Sequence, residues 1–172
     1  DCLISTSKTI NYDNPLLNCR IEGLKAKSPA VVIVDRMFKI KRNLKIFRNI
    51  DRKIFIFTQI NDEAKKKYFK KIGVTIVKIN KKKDLKKNLL EIFFFLKKHG
   101  FNRILIESGI TYINEVLRYS LIRNFFLFKS YSNLKRNGKN NTKLNLVKKL
   151  KTTIKNKVKI NLNGDSLYKI QL

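Results

Sequence analysis

Short β-branched runs alternate with amphipathic stretches along most of this chain. Val31-Val32-Ile33-Val34 is a continuous apolar run of the kind a strand covered on both faces requires, and Ile54-Phe55-Ile56-Phe57 repeats it. Between Asp62 and Ile72, the apolar positions Ala64, Tyr68, Phe69 and Ile72 recur at helical spacing, with Lys on the outer positions. Gly73 predicts the stop of that helix, because glycine takes a positive φ without a Cβ penalty. Val74-Thr75-Ile76-Val77 predicts the next strand. Asp84 is placed to N-cap a helix whose apolar stripe is Leu85, Leu89, Ile92, Phe93 and Leu96, and His99-Gly100 ends it. Ile104-Leu105-Ile106 is the strand that follows. This alternation predicts an α/β fold: a mostly parallel central sheet with helices packed on its faces.

The pattern changes late. Phe125 to Lys129 predicts another strand, and Arg136 to Asn141 reads as a polar loop with Asn-Gly turn chemistry. Val158 to Leu162 and Leu167 to Ile170 flank Asn163-Gly164-Asp165, which predicts a closing antiparallel hairpin. No internal repeat or linker divides the chain, so a single domain over residues 1–172 is expected. Asp1-Cys2-Leu3-Ile4 already reads as a strand in progress, so an N-terminal portion is expected upstream of it.

Charge adds a second question. The chain carries 40 basic against 12 acidic residues, a net charge of +28, which first suggests a nucleic-acid partner. Only nine of the basic residues are Arg, however, and Arg is the preferred fork for phosphate or guanine. The Lys excess comes with abundant Asn, Ile and Phe, little Ala and no Trp. The bias of an AT-rich coding sequence accounts for that mixture better than a selected polyanion surface. The runs Lys81-Lys82-Lys83 and Lys148-Lys149 are accordingly expected on solvated faces. Cys2 and Cys19 form neither a metal pattern nor a disulfide framework, which agrees with a reducing compartment. With a single histidine, His99 at a helix end, neither a zinc site nor a Ser-His-Asp arrangement is expected. No apolar run approaches the roughly 20 residues that span a bilayer.

Two segments carry candidate chemistry. Thr9 to Arg20 reads T-I-N-Y-D-N-P-L-L-N-C-R, a stretch without helical or strand periodicity and therefore expected as a loop. Pro15 restrains the turn around Asp13 and Asn14, Thr9 and Asp13 offer hydrogen-bonding groups, and Arg20 offers a fork for phosphate or carboxylate. A plain surface turn, with Asp13 capping a helix and Arg20 solvated, fits the same spacing. In the second segment, Glu107 stands at the carboxyl end of a strand, where open α/β sheets bind ligands. Ser108-Gly109-Ile110-Thr111 then opens a helix whose N-terminal amides suit a pyrophosphate, or is simply a tight turn with a cap.

The succession Thr9-x-x-x-Asp13-x-Pro15-x-Leu17-x-x-Arg20, a strand ending Val34-Asp35, and Ile106-Glu107-x-Gly109-x-Thr111 resembles the reductase domain of the bifunctional riboflavin biosynthesis protein. Order, spacing and closing hairpin agree over essentially the whole chain. The resemblance implies a dihydrofolate-reductase-like fold and NADPH-dependent reduction of 5-amino-6-(5-phosphoribosylamino)uracil to its ribitylamino form. It also implies a cytoplasmic homodimer with a small-molecule substrate, no specific nucleic acid and no membrane. Carried over by position, Thr9, Asp13 and Arg36 contact NADPH, with Arg36 suited to the 2′-phosphate. Gly109, Ile110, Thr111, Tyr112, Ile113, Asn114 and Glu115 line the cofactor pyrophosphate. Leu17, Arg20 and Glu107 contact the substrate, with Arg20 on its phosphate. No proton donor is assigned. The family usually has Gly-Gly-Pro-Thr where this chain has Ser108-Gly109-Ile110-Thr111, and a glycine-rich loop where it has the Lys/Asn-rich stretch from Lys135 to Asn141. The zinc deaminase domain usually fused upstream is expected before Asp1, and zinc would belong to it alone. Rival readings are a pterin-type reductase and a basic nucleic-acid-binding module, though no groove-reading motif or stacking aromatic pattern supports the latter.

Overall fold

In the computed structural model, which describes residues 1–48, 51–80, 84–132 and 156–172, the apolar runs become neighbours in one sheet. Strands β1 (Cys2–Thr6), β2 (Ala30–Val34), β3 (Ile54–Thr58), β4 (Thr75–Lys78) and β5 (Ile104–Ile106) are joined in the order β4-β3-β2-β1-β5. Every pairing among them is parallel. The central strands β2 and β3 are buried at every position, as their uninterrupted apolar sequences require.

Register explains which helix covers which face. Val31 lies beside Ile54 and Ile33 beside Ile56, and these four share a core with Ile10 of helix α1 (Ser7–Asp13) and Phe69 of helix α2 (Glu63–Lys71). The loop between β2 and β3 adds Phe38, Ile40, Leu44, Ile46 and Phe47 to this layer. On the opposite face, Phe55 and Phe57 meet Phe95 of helix α3 (Leu85–Lys98) edge to face, with centroids 5.9 and 5.2 Å apart. Leu89, Ile92 and Leu96 form the buried stripe of α3, as the sequence spacing predicts.

The expected caps are present. Asp62 accepts the Lys65 amide at 2.9 Å and Asp84 the Lys86 amide at 2.8 Å. Gly73, at φ 83°, follows the last turn of α2. His99 caps α3 and is a packing residue: its ring stacks on Phe95 at 3.9 Å and its Nδ1 lies 2.8 Å from the Phe95 carbonyl oxygen.

The fold corrects two sequence expectations. The stretch from Thr9 begins as helix, because the Thr6 side chain accepts the Thr9 amide and nucleates α1. The helix ends where Asn14 enters the left-handed region at φ 46° and Pro15 follows. Seven residues with one buried apolar position, Ile10, are too few for a visible period. The closing hairpin is also less regular than expected. Its arms are β7 (Asn156–Lys157) and β8 (Ser166–Gln171), and residues 158–162 lie outside the ladder apart from Val158, whose amide bonds to the Leu167 carbonyl. Side chains bend that connection: Asn161 accepts the Asn163 amide and Asp165 the Tyr131 amide. Asn163 and Gly164 have positive φ as the turn chemistry requires, and a Cβ on Gly164 would lie 2.9 Å from the Tyr131 ring.

The chain divides into two compact units, residues 1–109 and 110–172. The second contains helix α4 (Ile110–Arg118) and an antiparallel sheet of order β6-β8-β7, where β6 is Asn124–Lys129. Its small core joins Leu117 and Ile170 to Ile113, Ile122 and Phe125. The runs Lys81-Lys82-Lys83 and Lys148-Lys149 and the loop from Lys135 to Asn141 lie outside the described residues. Among the described residues no helix is long and apolar enough to cross a membrane.

Candidate functional site

Strand order singles out one place on the sheet. The chain starts at β1, steps outward through β2 and β3 to β4, and then returns to the other side of β1 as β5. The carboxyl ends of β1 and β5 therefore lie side by side, the place where open α/β sheets have their ligand crevice. Thr6 ends β1 there, Ser7 and Thr9 follow it, and Glu107, Ser108 and Gly109 follow β5.

Hydroxyl groups tie the two strand ends together. The Thr6 and Ser108 hydroxyl oxygens are 3.1 Å apart, and Thr9 Oγ1 lies 3.1 Å from Thr6 Oγ1 and 3.5 Å from Ser108 Oγ. Thr9 Oγ1 also accepts the Gly109 amide at 3.1 Å. The segment around Glu107 is fixed from below by its own amide, which donates to the Ile4 carbonyl at 2.9 Å. The Glu107 side chain itself is exposed. Two of the residues expected to hold cofactor, Thr9 and Gly109, thus stand together. The Gly109 amide, expected to face a pyrophosphate, is engaged by Thr9.

The remaining candidates fall in different surroundings. Asp13, the last residue of α1, and Arg20 are exposed, and among the described residues neither side chain forms a hydrogen bond or ion pair with Thr9 or Gly109. Leu17, at φ 52°, packs part of its side chain on the main core, and the Arg52 guanidinium holds the carbonyls of Leu16 and Leu17. The 9–20 segment is therefore a braced structure rather than a free turn. Arg36 is half-buried, one residue past β2, and its carbonyl accepts the Gln59 amide at 3.1 Å, so it sits across the ends of β2 and β3.

In the second unit, α4 begins at Ile110, as the glycine turn predicts. Ile110, Ile113 and Glu115 are half-buried and Thr111 is exposed, while Tyr112 and Asn114 are buried. Asn114 is only 7% exposed, and among the described residues neither its amide nitrogen nor its oxygen has a hydrogen-bond partner. A buried amide in that condition costs free energy unless a ligand or solvent completes it.

Sequence reading passed over Asp35 as anything but a motif residue. It is 2% exposed, and its carboxylate accepts Ser7 Oγ at 2.8 Å, the Lys39 amide at 2.8 Å and the Ile40 amide at 2.7 Å. It therefore locks the start of α1 to the loop after β2. The Ser108 hydroxyl has no distinct role in that reading either. The usable signal was a set of hydroxyls, Thr6, Thr9 and Ser108, at the ends of two runs that the fold makes adjacent strands. Among the described residues no group of three His, Cys, Asp or Glu side chains converges as metal ligands do.

Comparison with known proteins agrees with this architecture. No curated protein matches the chain. In solved structures it is similar to RibD of Acinetobacter baumannii, with a TM-score of 0.70 at 19% identity, over 99% of this chain and 46% of that one. It is also similar to a diaminohydroxyphosphoribosylaminopyrimidine deaminase/5-amino-6-(5-phosphoribosylamino)uracil reductase of Thermotoga maritima, with a TM-score of 0.67 at 15% identity, over 99% and 44% of the two chains. A pyrimidine reductase-like protein of Corynebacterium diphtheriae gives a TM-score of 0.70 at 13% identity, over 99% and 75%. At these identities the likeness establishes the dihydrofolate-reductase-like fold. The chain spans less than half the length of the first two relatives. The family model described as the RibD C-terminal domain matches residues 1–129. The chain belongs to the RibD C-terminal domain family.

Proposed function

We propose that the chain is an NADPH-dependent reductase acting on 5-amino-6-(5-phosphoribosylamino)uracil and delivering its ribitylamino form. The observation that carries this reading is the joining of Thr9 to Gly109 at the β1–β5 switch point, where open α/β sheets take their ligands. A cofactor with polar handles would also answer Asn114, a buried amide with neither end satisfied among the described residues, four residues into the helix that follows Gly109.

In this reading Thr9 and Asp13 hold the cofactor from α1, and Gly109 to Glu115 line its pyrophosphate with helix-terminal amides and side chains. Arg36 meets the 2′-phosphate as a charged fork. Leu17 and Arg20 bind the substrate, Arg20 at its phosphate, and Glu107 receives its polar donors. When bound, the nicotinamide supplies the hydride, and the protein's work is orientation and electrostatics. A homodimer, a cytoplasmic setting and a deaminase partner domain belong to the same reading.

The test is steady-state kinetics on the whole protein. Arg20→Ala is expected to raise KM for the phosphoribosylaminouracil by the equivalent of about 2–3 kcal/mol, with NADPH binding nearly unchanged. Glu107→Gln is expected to lower kcat/KM more than cofactor affinity. Lys97→Ala, on the exposed face of α3, serves as the control for loss of positive charge. If Arg20→Ala and Lys97→Ala behave alike, the 9–20 segment is only a braced surface turn and the site assignment fails.

A further inference from the structure

Away from the β1–β5 crevice, the loop after β2 and helix α2 line a wide, open cleft of about 920 Å³. Its lining includes four cationic side chains, Lys39, Lys41, Arg42 and Lys65, against the single carboxylate of Asp62. A smaller recess of about 310 Å³ shares Arg42, Asn43 and Tyr68 and adds Arg48. Among the described residues none of these four cations forms an ion pair. Asp62 has one oxygen engaged by the Lys65 amide as the cap of α2.

The backbone that carries Lys39 and Lys41 is held in place, and the Arg42 and Lys65 side chains rest on rings. Asn11 of α1 accepts the Lys41 amide at 2.9 Å and donates to the Lys39 carbonyl at 3.0 Å. Asp35 takes the Lys39 and Ile40 amides, and Asn14 takes the Lys45 amide at 2.8 Å. The Arg42 guanidinium lies over the Tyr68 ring at 5.0 Å from its centroid. The Lys65 ammonium lies over Phe38 at 4.9 Å and donates to the Phe38 carbonyl. Burial pushes Lys65 down from its ordinary pKa, with Asp35 and Asp62 acting against that and Arg42 with it.

Like charges gathered on a concave, braced surface repel one another, and an anion in the cleft relieves that repulsion. Lysines drifting onto a tolerant surface need no such bracing. The aromatic faces of Tyr68 and Phe38 are already covered by Arg42 and Lys65, so the cleft offers charge and no free platform for stacking a base. We infer that this cleft is a second ligand site, specific for the linked phosphates of a small oligophosphate and separate from the β1–β5 crevice. Its lining comes from the loop after β2 and from α2 with its cap, and includes none of the residues proposed to hold NADPH or substrate. Lys39, Lys41 and Arg42 supply the direct contacts, the half-buried Lys65 adds positive field, and Tyr68 positions Arg42.

Calorimetric titration of the chain with inorganic tripolyphosphate tests this. One equivalent is expected to bind, and the double variant Lys41→Ala/Arg42→Ala to bind at least about tenfold more weakly, as loss of two charge-assisted contacts requires. The double variant Lys97→Ala/Lys98→Ala, which removes the same charge from the exposed end of α3, is expected to stay within about twofold, since distant exposed charges are screened. Tyr68→Phe is expected to retain binding and Tyr68→Ala to weaken it, with circular dichroism confirming that each variant is folded. Equal losses in the two double variants, or several equivalents bound, would mean diffuse charge attraction and overturn the site. Displacement of tripolyphosphate by one equivalent of NADPH would overturn its separateness. A single-stranded RNA that binds the cleft more tightly than tripolyphosphate would overturn the ligand class.

Discussion

The Thr9 hydroxyl oxygen accepts the backbone N–H of Gly109 at 3.1 Å across 100 residues of sequence. That contact fastens the first turn of α1 to the turn after β5 and sets the mouth of the β1–β5 crevice. Thr9→Val keeps the shape and removes the acceptor. It is expected to cost about 1 kcal/mol in urea unfolding, the net worth of a partly exposed hydrogen bond, and to weaken NADPH binding in a fluorescence titration. Thr9→Ser retains the oxygen and should recover both. A valine variant with wild-type stability and affinity would show that the contact holds nothing.

Asp35 holds a different joint. Its carboxylate serves three donors, two of them backbone amides of the loop that carries Lys39 and Lys41. Asp35→Ala leaves those amides without their acceptor and is expected to cost about 3 kcal/mol, the scale of a lost set of charge-assisted bonds. Ser7→Ala removes only one donor and should cost about 1 kcal/mol. Equal denaturation midpoints for the two variants would refute the ordering.

Cys2 gives a pH signature. Burial in the sheet pushes its thiol up from 9.0 to about 11. An acid whose pKa is raised by folding stabilises the native state at low pH, where it is protonated in both states. Between pH 9 and about 11 the unfolded chain releases the proton first, so this contribution falls as pH rises. Comparing unfolding of wild type and Cys2→Val across that window isolates the slope, which only wild type should carry. At pH 8 a maleimide should label Cys19 alone in the folded chain and both thiols after denaturation, since Cys2 is 2% exposed.

Arg36 bears on cofactor choice. Its backbone is fixed across the ends of β2 and β3, so its side chain starts from a defined point. The whole enzyme is expected to prefer NADPH to NADH, and Arg36→Ser to narrow that preference by about 1–2 kcal/mol, the range of one charge-assisted contact. Equal kcat/KM for the two cofactors in wild type would sink the assignment.

The elements legible in the sequence are those whose burial leaves a local imprint. Val31 to Val34 and Ile54 to Phe57 are apolar throughout because both sheet faces are covered, and no amphipathic alternative competes. Helices α2 and α3 show their period because each rests one side on the sheet and turns Lys outward. Asp62, Asp84, Gly73 and Gly164 are readable because caps and positive-φ turns select residue types through local sterics and hydrogen bonds. The family motif was legible for a related reason: its residues have characteristic types at set spacings.

Strand order, and with it the site, was decided only in three dimensions. Nothing near Thr9 announces Gly109, because the hydrogen bond between them depends on β5 returning to the far side of β1. Helix α1 escaped notice because seven residues with one buried side chain are stabilised by Thr6, Asn14 and the packing of Ile10 rather than by a periodic stripe. Asp35 looked like a strand terminus until the loop from Phe38 to Ile40 folded its amides onto the carboxylate. Lys39, Lys41, Arg42 and Lys65 were four more cations in a chain of 40, and only the bracing by Asn11 and the rings of Tyr68 and Phe38 made them a cleft. Local sterics and burial act within a few residues and leave their mark in sequence, whereas long-range contacts depend on which strand returns beside which.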